Sequence, residues 1–128
     1  LMDWVREVEE LHAFFDAWFR GAADSMERME AVLAPSFTIV GPHGTTMDRE
    51  QTIEAVRTAF GRSGTLRIRT SDHHLISSTS ELVVARYTET HEVPDGGNRR
   101  LSTVVFRPDE HAPNGLTWLS VHETWIEQ

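Results

Sequence analysis

Ionisable side chains in segments that otherwise read as buried sheet are the first chemical clue in this chain. The segment Trp118-Leu-Ser-Val-His-Glu-Thr-Trp125 carries His122 and Glu123, and Leu82-Val-Val-Ala-Arg-Tyr-Thr88 carries Arg86. A charge turned toward a protein interior needs a partner or a wet hollow, because leaving water uncompensated is costly. A carboxylate beside a guanidinium can orient a ligand, or abstract a proton while the cation steadies a developing oxyanion. His43, in Gly41-Pro-His-Gly44, is a third candidate base because its ordinary pKa lies near neutrality. The catalytic candidates are therefore Glu123, His43 and Arg86.

Side chains alternate along a strand, so each choice of an inward residue selects its neighbours two positions away. Taking Leu119, Val121, Glu123 and Trp125 as the inward set gives the last strand a mainly apolar face with one carboxylate. Arg86 brings Thr88 and Thr90 with it. Ser102, Val104 and Phe106 occupy the intervening strand. The expected ligand-binding set is Phe15, Trp18, Arg86, Thr88, Ser102, Val104, Val121, Glu123 and Trp125, with the aromatic residues supplying contact area.

Glu89, His91 and the pair His122-Glu123 bring imidazole and carboxylate together, the ligand types of zinc and iron. There is no H-x-H or H-E-x-x-H spacing, and Glu89 and His91 have the parity opposite Arg86. No metal site is expected. Without a phosphate-binding glycine loop or nucleophile elbow, no cofactor is expected either. All 12 basic residues are arginine, which excludes Schiff-base chemistry, and the absence of cysteine excludes thiolate nucleophiles and disulfides.

The elements that must position these residues follow from periodicity. Trp4, Val8, Leu11, Phe15, Trp18 and Ala22 form one stripe of an amphipathic helix that ends near Gly21. Asp24 and Glu27 have capping-box spacing, which predicts a second helix through Leu33, closed by Pro35. Asp48 and Gln51 repeat that spacing at the head of a third helix, which runs to Gly61. Ser36–Val40 reads as a short strand that returns through Thr45–Met47. After Gly64 the pattern becomes extended, with strands expected over Leu66–Ile76, Leu82–Val93, Arg99–Arg107 and Leu116–Ile126. Short turns between them predict an antiparallel meander. The fold class is α+β, with three N-terminal helices on a curved, mainly antiparallel sheet.

With 128 residues, 39% of them hydrophobic and 25% charged, the chain fits one domain spanning 1–128. A formal charge of −8 argues against a nucleic-acid partner. No apolar run approaches the ~20 residues that span a bilayer, and the first residues lack a signal-peptide pattern, so a cytoplasmic protein without membrane contact is expected.

The order of elements, Trp18 before a small-residue helix end, the hairpin from Phe37 to Gly44 and the final Trp118-Leu-Ser-Val-His122 strand resemble the NTF2-like superfamily. Within it, the chain is similar to the SnoaL-like and DUF4440-like, cystatin-like branch and to the association domain of calcium/calmodulin-dependent kinase II. That resemblance implies a cone whose bent sheet wraps the first helix and leaves a cavity open at one end. It also implies a homodimer through the outer sheet face, with Trp118, Tyr87, Val83 and Ile126 as candidate contacts. Arg86 matches a cavity arginine of the association domain, whereas Val104 and Trp125 stand where that domain has two more. Three readings follow: a cavity for a small, partly apolar ligand; a lyase, isomerase or hydrolase of the SnoaL or ketosteroid-isomerase type using Glu123 or His43 as base; or a dimerisation module.

Overall fold

A computed structural model describes residues 2–127. The first helix, α1 (Trp4–Phe19), is capped by Asp3, whose Oδ1 accepts the Arg6 amide at 3.1 Å. Its inner stripe, Val8, Leu11, Phe14 and Trp18, is buried in the core. Gly21, at φ 78°, takes the left-handed turn that stops the helix without strain from a side chain.

The segment after α1 departs from expectation. Only Glu27–Glu30 is helical (α2), with Met26 rather than Asp24 as its N-cap, and the chain is already extended at Leu33. Strand β1 (Leu33–Val40) therefore contains Pro35. The cause is tertiary: the Trp118 amide donates to the Val32 carbonyl at 2.8 Å, and Leu33 pairs with Trp118. Sheet pairing overrides local helix propensity here. The ladder is interrupted between Leu33 and Thr38, which accommodates a proline that has no amide to donate.

After β2 (Thr46–Asp48), the helix α3 (Arg49–Thr58) begins with the expected capping box between Asp48 and Gln51. Four long strands follow: β3 (Arg67–Ser78), β4 (Val83–Val93), β5 (Gly96–Pro108) and β6 (Leu116–Trp125). They form the predicted antiparallel meander, and the six-stranded sheet has the order β2-β1-β6-β5-β4-β3 with β1 parallel to β6. Gly97 permits the tight β4–β5 hairpin, because a Cβ there would lie 2.0 Å from the His91 carbonyl oxygen.

The sheet packs its inner face on α1, burying Tyr87, Val104, Phe106, Trp118 and Val121 against the helix stripe. Asp16 tethers the two layers: its Oδ1 accepts the Ile68 amide at 2.7 Å, and its Oδ2 accepts Arg20 at 2.9 Å. Trp18 Nε1 donates to the Val56 carbonyl at 2.6 Å and holds α3 to the end of α1.

Three residues expected on the outer face are interior. Trp118, Tyr87 and Val83 are each at most 3% exposed. The ladder explains part of this: β5–β6 shifts register between Val105 and Phe106, so Trp118 and Val121 are both buried despite opposite parity. No helix among the described residues is long and apolar enough to cross a membrane.

Candidate functional site

The interior between α1, α3 and the sheet encloses a pocket of about 230 Å³. Phe15, Phe19, Phe37, Ile39 and Val56 are among its apolar walls, and Ala55 of α3 lies at its edge. Its polar side chains are His12 of α1; Thr52 of α3; Tyr87, Glu89 and His91 of β4; Arg100 of β5; and Glu123 of β6.

Alternation explains why β4 contributes three of them. Val83, Ala85 and Tyr87 face the core, and the same parity carries Glu89 and His91 inward. Arg86 has the other parity and is exposed, opposite His74 and Thr103 in the neighbouring strands. The expected inward facing of Arg86 is thereby corrected; Thr88 and Thr90 are buried, at 4% and 6% exposure, but do not line the pocket. The odd-numbered residues Val83, Ala85 and Tyr87 form the core set of β4, which leaves the single charge of the apolar run, Arg86, on the opposite face.

Glu89 is the centre of the polar floor. Its Oε1 accepts a hydrogen bond from His12 Nε2 at 3.0 Å, and its Oε2 accepts one from His91 Nε2. His12 Nδ1 also donates, to the Val8 carbonyl at 2.8 Å. Both ring nitrogens of His12 therefore face acceptors, as an imidazolium requires. Burial alone would push the Glu89 carboxyl up, but the His12 charge and the hydrogen bonds from His12 and His91 together hold it far below the usual carboxylate range. Burial likewise opposes charge on His12, and Glu89 with the Val8 carbonyl overcomes it, so its pKa is raised.

Glu123 is inward as expected, but its partner is Arg100 rather than Arg86. Arg100 Nη1 reaches Glu123 Oε1 at 3.5 Å, its Nη2 reaches Asn98 at 3.3 Å, and its guanidinium lies 4.8 Å from the Trp125 ring centroid. Arg100 Nε is buried without a partner. Burial, then the nearby Glu89 charge, raises the Glu123 pKa against the opposing pull of Arg100. Tyr87 is raised well above its usual value by burial and by the charges of Glu89 and Glu123, so it stays a neutral phenol.

Of the other expected residues, Phe15 and Val121 line the pocket. Trp18, Ser102 and Val104 are buried but do not line it. Trp125 is 36% exposed and lies outside the lining, its ring meeting the exposed His43 edge-on at 5.5 Å. His43 is also outside the lining, and His122 is exposed. Among the described residues no group of three or more His, Cys, Asp or Glu side chains is arranged to hold a metal ion.

His12 and Arg100 escaped the sequence reading. Arg100 had a signal, since it shares parity with Ser102, Val104 and Phe106. His12 follows Leu11 on the helix and stands four residues after Val8, which places it at the margin of the apolar stripe.

The architecture is that of the NTF2-like superfamily. An NTF2-like protein of unknown function from Pseudomonas aeruginosa superposes with a TM-score of 0.88 at 28% identity, over 97% of this chain and 98% of that one. A putative calcium/calmodulin-dependent protein kinase type II association domain from Thiobacillus denitrificans gives 0.69 at 22% identity, over 91% and 90% of the two chains.

Within that class the chain belongs to the sucrose-6-phosphate phosphohydrolase C-terminal family, whose profile matches residues 5–127. Sucrose-phosphatase 2 of Nicotiana tabacum is 30% identical over 131 residues, covering 94% of this chain and 30% of the relative. The chain thus spans about 30% of the length of the curated relatives it matches.

Proposed function

We propose that the pocket binds a compact, mainly apolar ring compound carrying one hydrogen-bonding group. The observation that carries this reading is the pocket itself: hydrophobic walls around about 230 Å³, with most of the charged and polar side chains on the sheet and His12 joining them from α1. Small-molecule sites have this composition, with apolar contact supplying affinity and a few convergent polar groups fixing orientation. An apolar cavity of about 150 Å³ accepts benzene, so a substituted single ring is the matching size. Arg100 and the Tyr87 hydroxyl offer donors to a carbonyl, phenol or carboxylate, and Phe15 and Phe19 offer ring faces.

The names of the curated relatives attach to proteins about three times as long. A disaccharide phosphate needs donors and acceptors around its whole perimeter, whereas the walls here are mainly hydrocarbon and the only cationic arginine among them is Arg100. Sucrose 6-phosphate is therefore a poor match to this pocket.

Isothermal titration against phenol, benzamide, benzoate and sucrose 6-phosphate tests the reading. At least one ring compound should bind at millimolar or lower concentration, and Ala55→Trp, which plugs the edge from an exposed helix position, should abolish that binding without lowering the melting temperature. If none of the ring compounds binds, or if the sugar phosphate alone does, the reading is wrong.

A further inference from the structure

At the β4–β5 hairpin end of the sheet, on the face turned away from α1, three strands set matched residues side by side. Arg69 of β3 pairs with Thr90 of β4, and Thr90 pairs with Arg99 of β5, so the order across the strands is arginine, threonine, arginine. Neighbouring strands lie about 4.8 Å apart, which puts the two arginine backbones roughly 10 Å from each other with the threonine midway. Alternation fixes the facing: Glu89 and His91 look into the apolar pocket, so Thr90 and its two partners look out the other way.

This row borders a groove of its own, with a volume of about 270 Å³. Arg69, Thr90, Glu92 and Arg99 line it, and Gly96 and Gly97 of the hairpin leave it open by having no side chains to fill it. Thr90 is only 6% exposed, and no described residue forms a hydrogen bond with its hydroxyl. A buried hydroxyl without a protein partner is uncommon and marks a place that a ligand or water completes. Arg99 is exposed and makes no ion pair or side-chain hydrogen bond among the described residues. Arg69 gives its Nε to Glu92 Oε1 at 2.9 Å, which leaves its Nη donors over. The two side chains of that pair are 60% and 54% exposed, and an ion pair so open to water contributes little, so exchanging it for another anion costs little.

Donors thus reach the groove from three directions, a guanidinium from each flank and a hydroxyl from the floor. A planar carboxylate presents its two oxygens in one plane, whereas a tetrahedral oxyanion presents oxygens to all three, and arginine forks meet it with paired N–H bonds. We propose that this groove binds a tetrahedral oxyanion, the phosphate or sulfate group of a small monoester, with Arg69 and Arg99 holding it from either side and Thr90 donating from below. Glu92 is the internal competitor, which releases Arg69 when the anion enters. The groove lies on the opposite face of the sheet from the apolar pocket and does not depend on what that pocket holds.

Glycerol 3-phosphate and methyl sulfate are suitable probes, since neither has a ring to enter the apolar pocket. Titration calorimetry at constant ionic strength, with backbone amide shifts locating the contact, should show saturable binding of at least one of them at millimolar concentration. The largest shifts should fall at Thr90 and Arg99, and the doubly charged phosphate ester should bind more tightly than the sulfate. Acetate should bind about tenfold more weakly or worse, the difference that one lost charge-assisted hydrogen bond makes. Arg99→Ala should weaken the better probe by about tenfold or more. Glu92→Gln should tighten it by about threefold or more, because a like charge is removed and Arg69 is freed. That gain separates a binding site from a stability effect, since loss of folded protein cannot strengthen binding. Arg86→Ala, on the same face but outside the groove, should leave affinity within about twofold.

Absence of saturable binding by either ester, acetate binding as tightly as the esters, weaker binding in Glu92→Gln, or a loss in Arg86→Ala as large as in Arg99→Ala overturns the inference. None of these results bears on the ring-compound titrations, which report on the other face.

Discussion

The two buried carboxylate clusters along α1 solve the same electrostatic problem differently. In the first turn of α1, Glu7 is fully buried and accepts three hydrogen bonds, from Arg28 Nη2 at 2.7 Å, Asn114 Nδ2 at 3.0 Å and Trp118 Nε1 at 2.8 Å. Beside the pocket, Glu89 is equally well served by two histidines, but Glu123 has only the 3.5 Å contact from Arg100 and lines the hollow. Glu7 has a donor at both of its oxygens and does not line the pocket, although Arg28 Nη1 in the same cluster is buried without a partner and Trp118 also lines the pocket. The second contains an under-served acid, a loosely held cation and space beside them. Burial of charge therefore does not by itself mark a site; incomplete pairing next to a hollow does.

The sharpest way to test that contrast is to remove each centre in turn. Glu7→Ala leaves Arg28 with only its 3.4 Å contact to Glu10, and takes the acceptor from Trp118 Nε1, so it should cost about 3–5 kcal/mol in urea denaturation. Ring-compound binding in whatever folds should be unaffected. Next in size is Glu89→Gln, which takes the counter-charge from His12 and should cost about 3 kcal/mol, together with a change in ligand affinity that Glu7→Ala does not produce.

The histidine–carboxylate pair also predicts a pH signature. The folded Glu89 value is depressed, so its contribution is present above the ordinary carboxylate range and is lost as pH falls through the folded value. The folded His12 value is raised, so its contribution is complete below the ordinary imidazole range and is lost as pH rises through the folded value. Urea midpoints measured across pH should be highest between these limits, and in Glu89→Gln this dome should flatten. A dome of unchanged height in that variant would mean that the pair is not what sets the pH dependence.

Glu123→Gln should act in the opposite direction. Because burial raises its folded pKa, the ionised form opposes folding, and stability should fall as pH rises from the ordinary carboxylate range through the folded value. The amide variant should melt higher than wild type at neutral pH, by on the order of 1 kcal/mol, and should match it near pH 4. Equal melting at both pH values would place Glu123 with Glu7, as a carboxylate whose charge the fold has already compensated.

Much of the scaffold was legible in the sequence because it is set by local signals. The 3.6-residue stripe of α1, the Asp48–Gln51 capping box and the alternation of the four long strands each specify an element within a few residues. The second helix was overestimated because the extended pairing of Leu33 with Trp118 is a contact between distant parts of the chain. The pocket was legible where apolar alternation was clear, as at Val121 and Glu123. It was lost on β4, where one parity carries Arg86 and the other Glu89 and His91, so that each face required a charge to be buried or exposed. The partner from α1 resolves that tie, since His12 compensates Glu89 and nothing comparable among the described residues meets Arg86.

The smallest predicted effect tests that resolution. Arg86 is exposed, with no side-chain hydrogen bond or ion pair among the described residues, so Arg86→Ala should change stability by no more than about 0.5 kcal/mol. Arg100→Ala removes the guanidinium that lies on Trp125 and leaves Glu123 with no ion-pair partner among the described residues. It should lower affinity for a ring carboxylate such as benzoate about tenfold or more, the value of one charge-assisted hydrogen bond. Measured side by side, the two alanine variants distinguish the two faces of the sheet. Equal losses, or a larger loss at position 86, would reverse the facing of β4 on which the site is built.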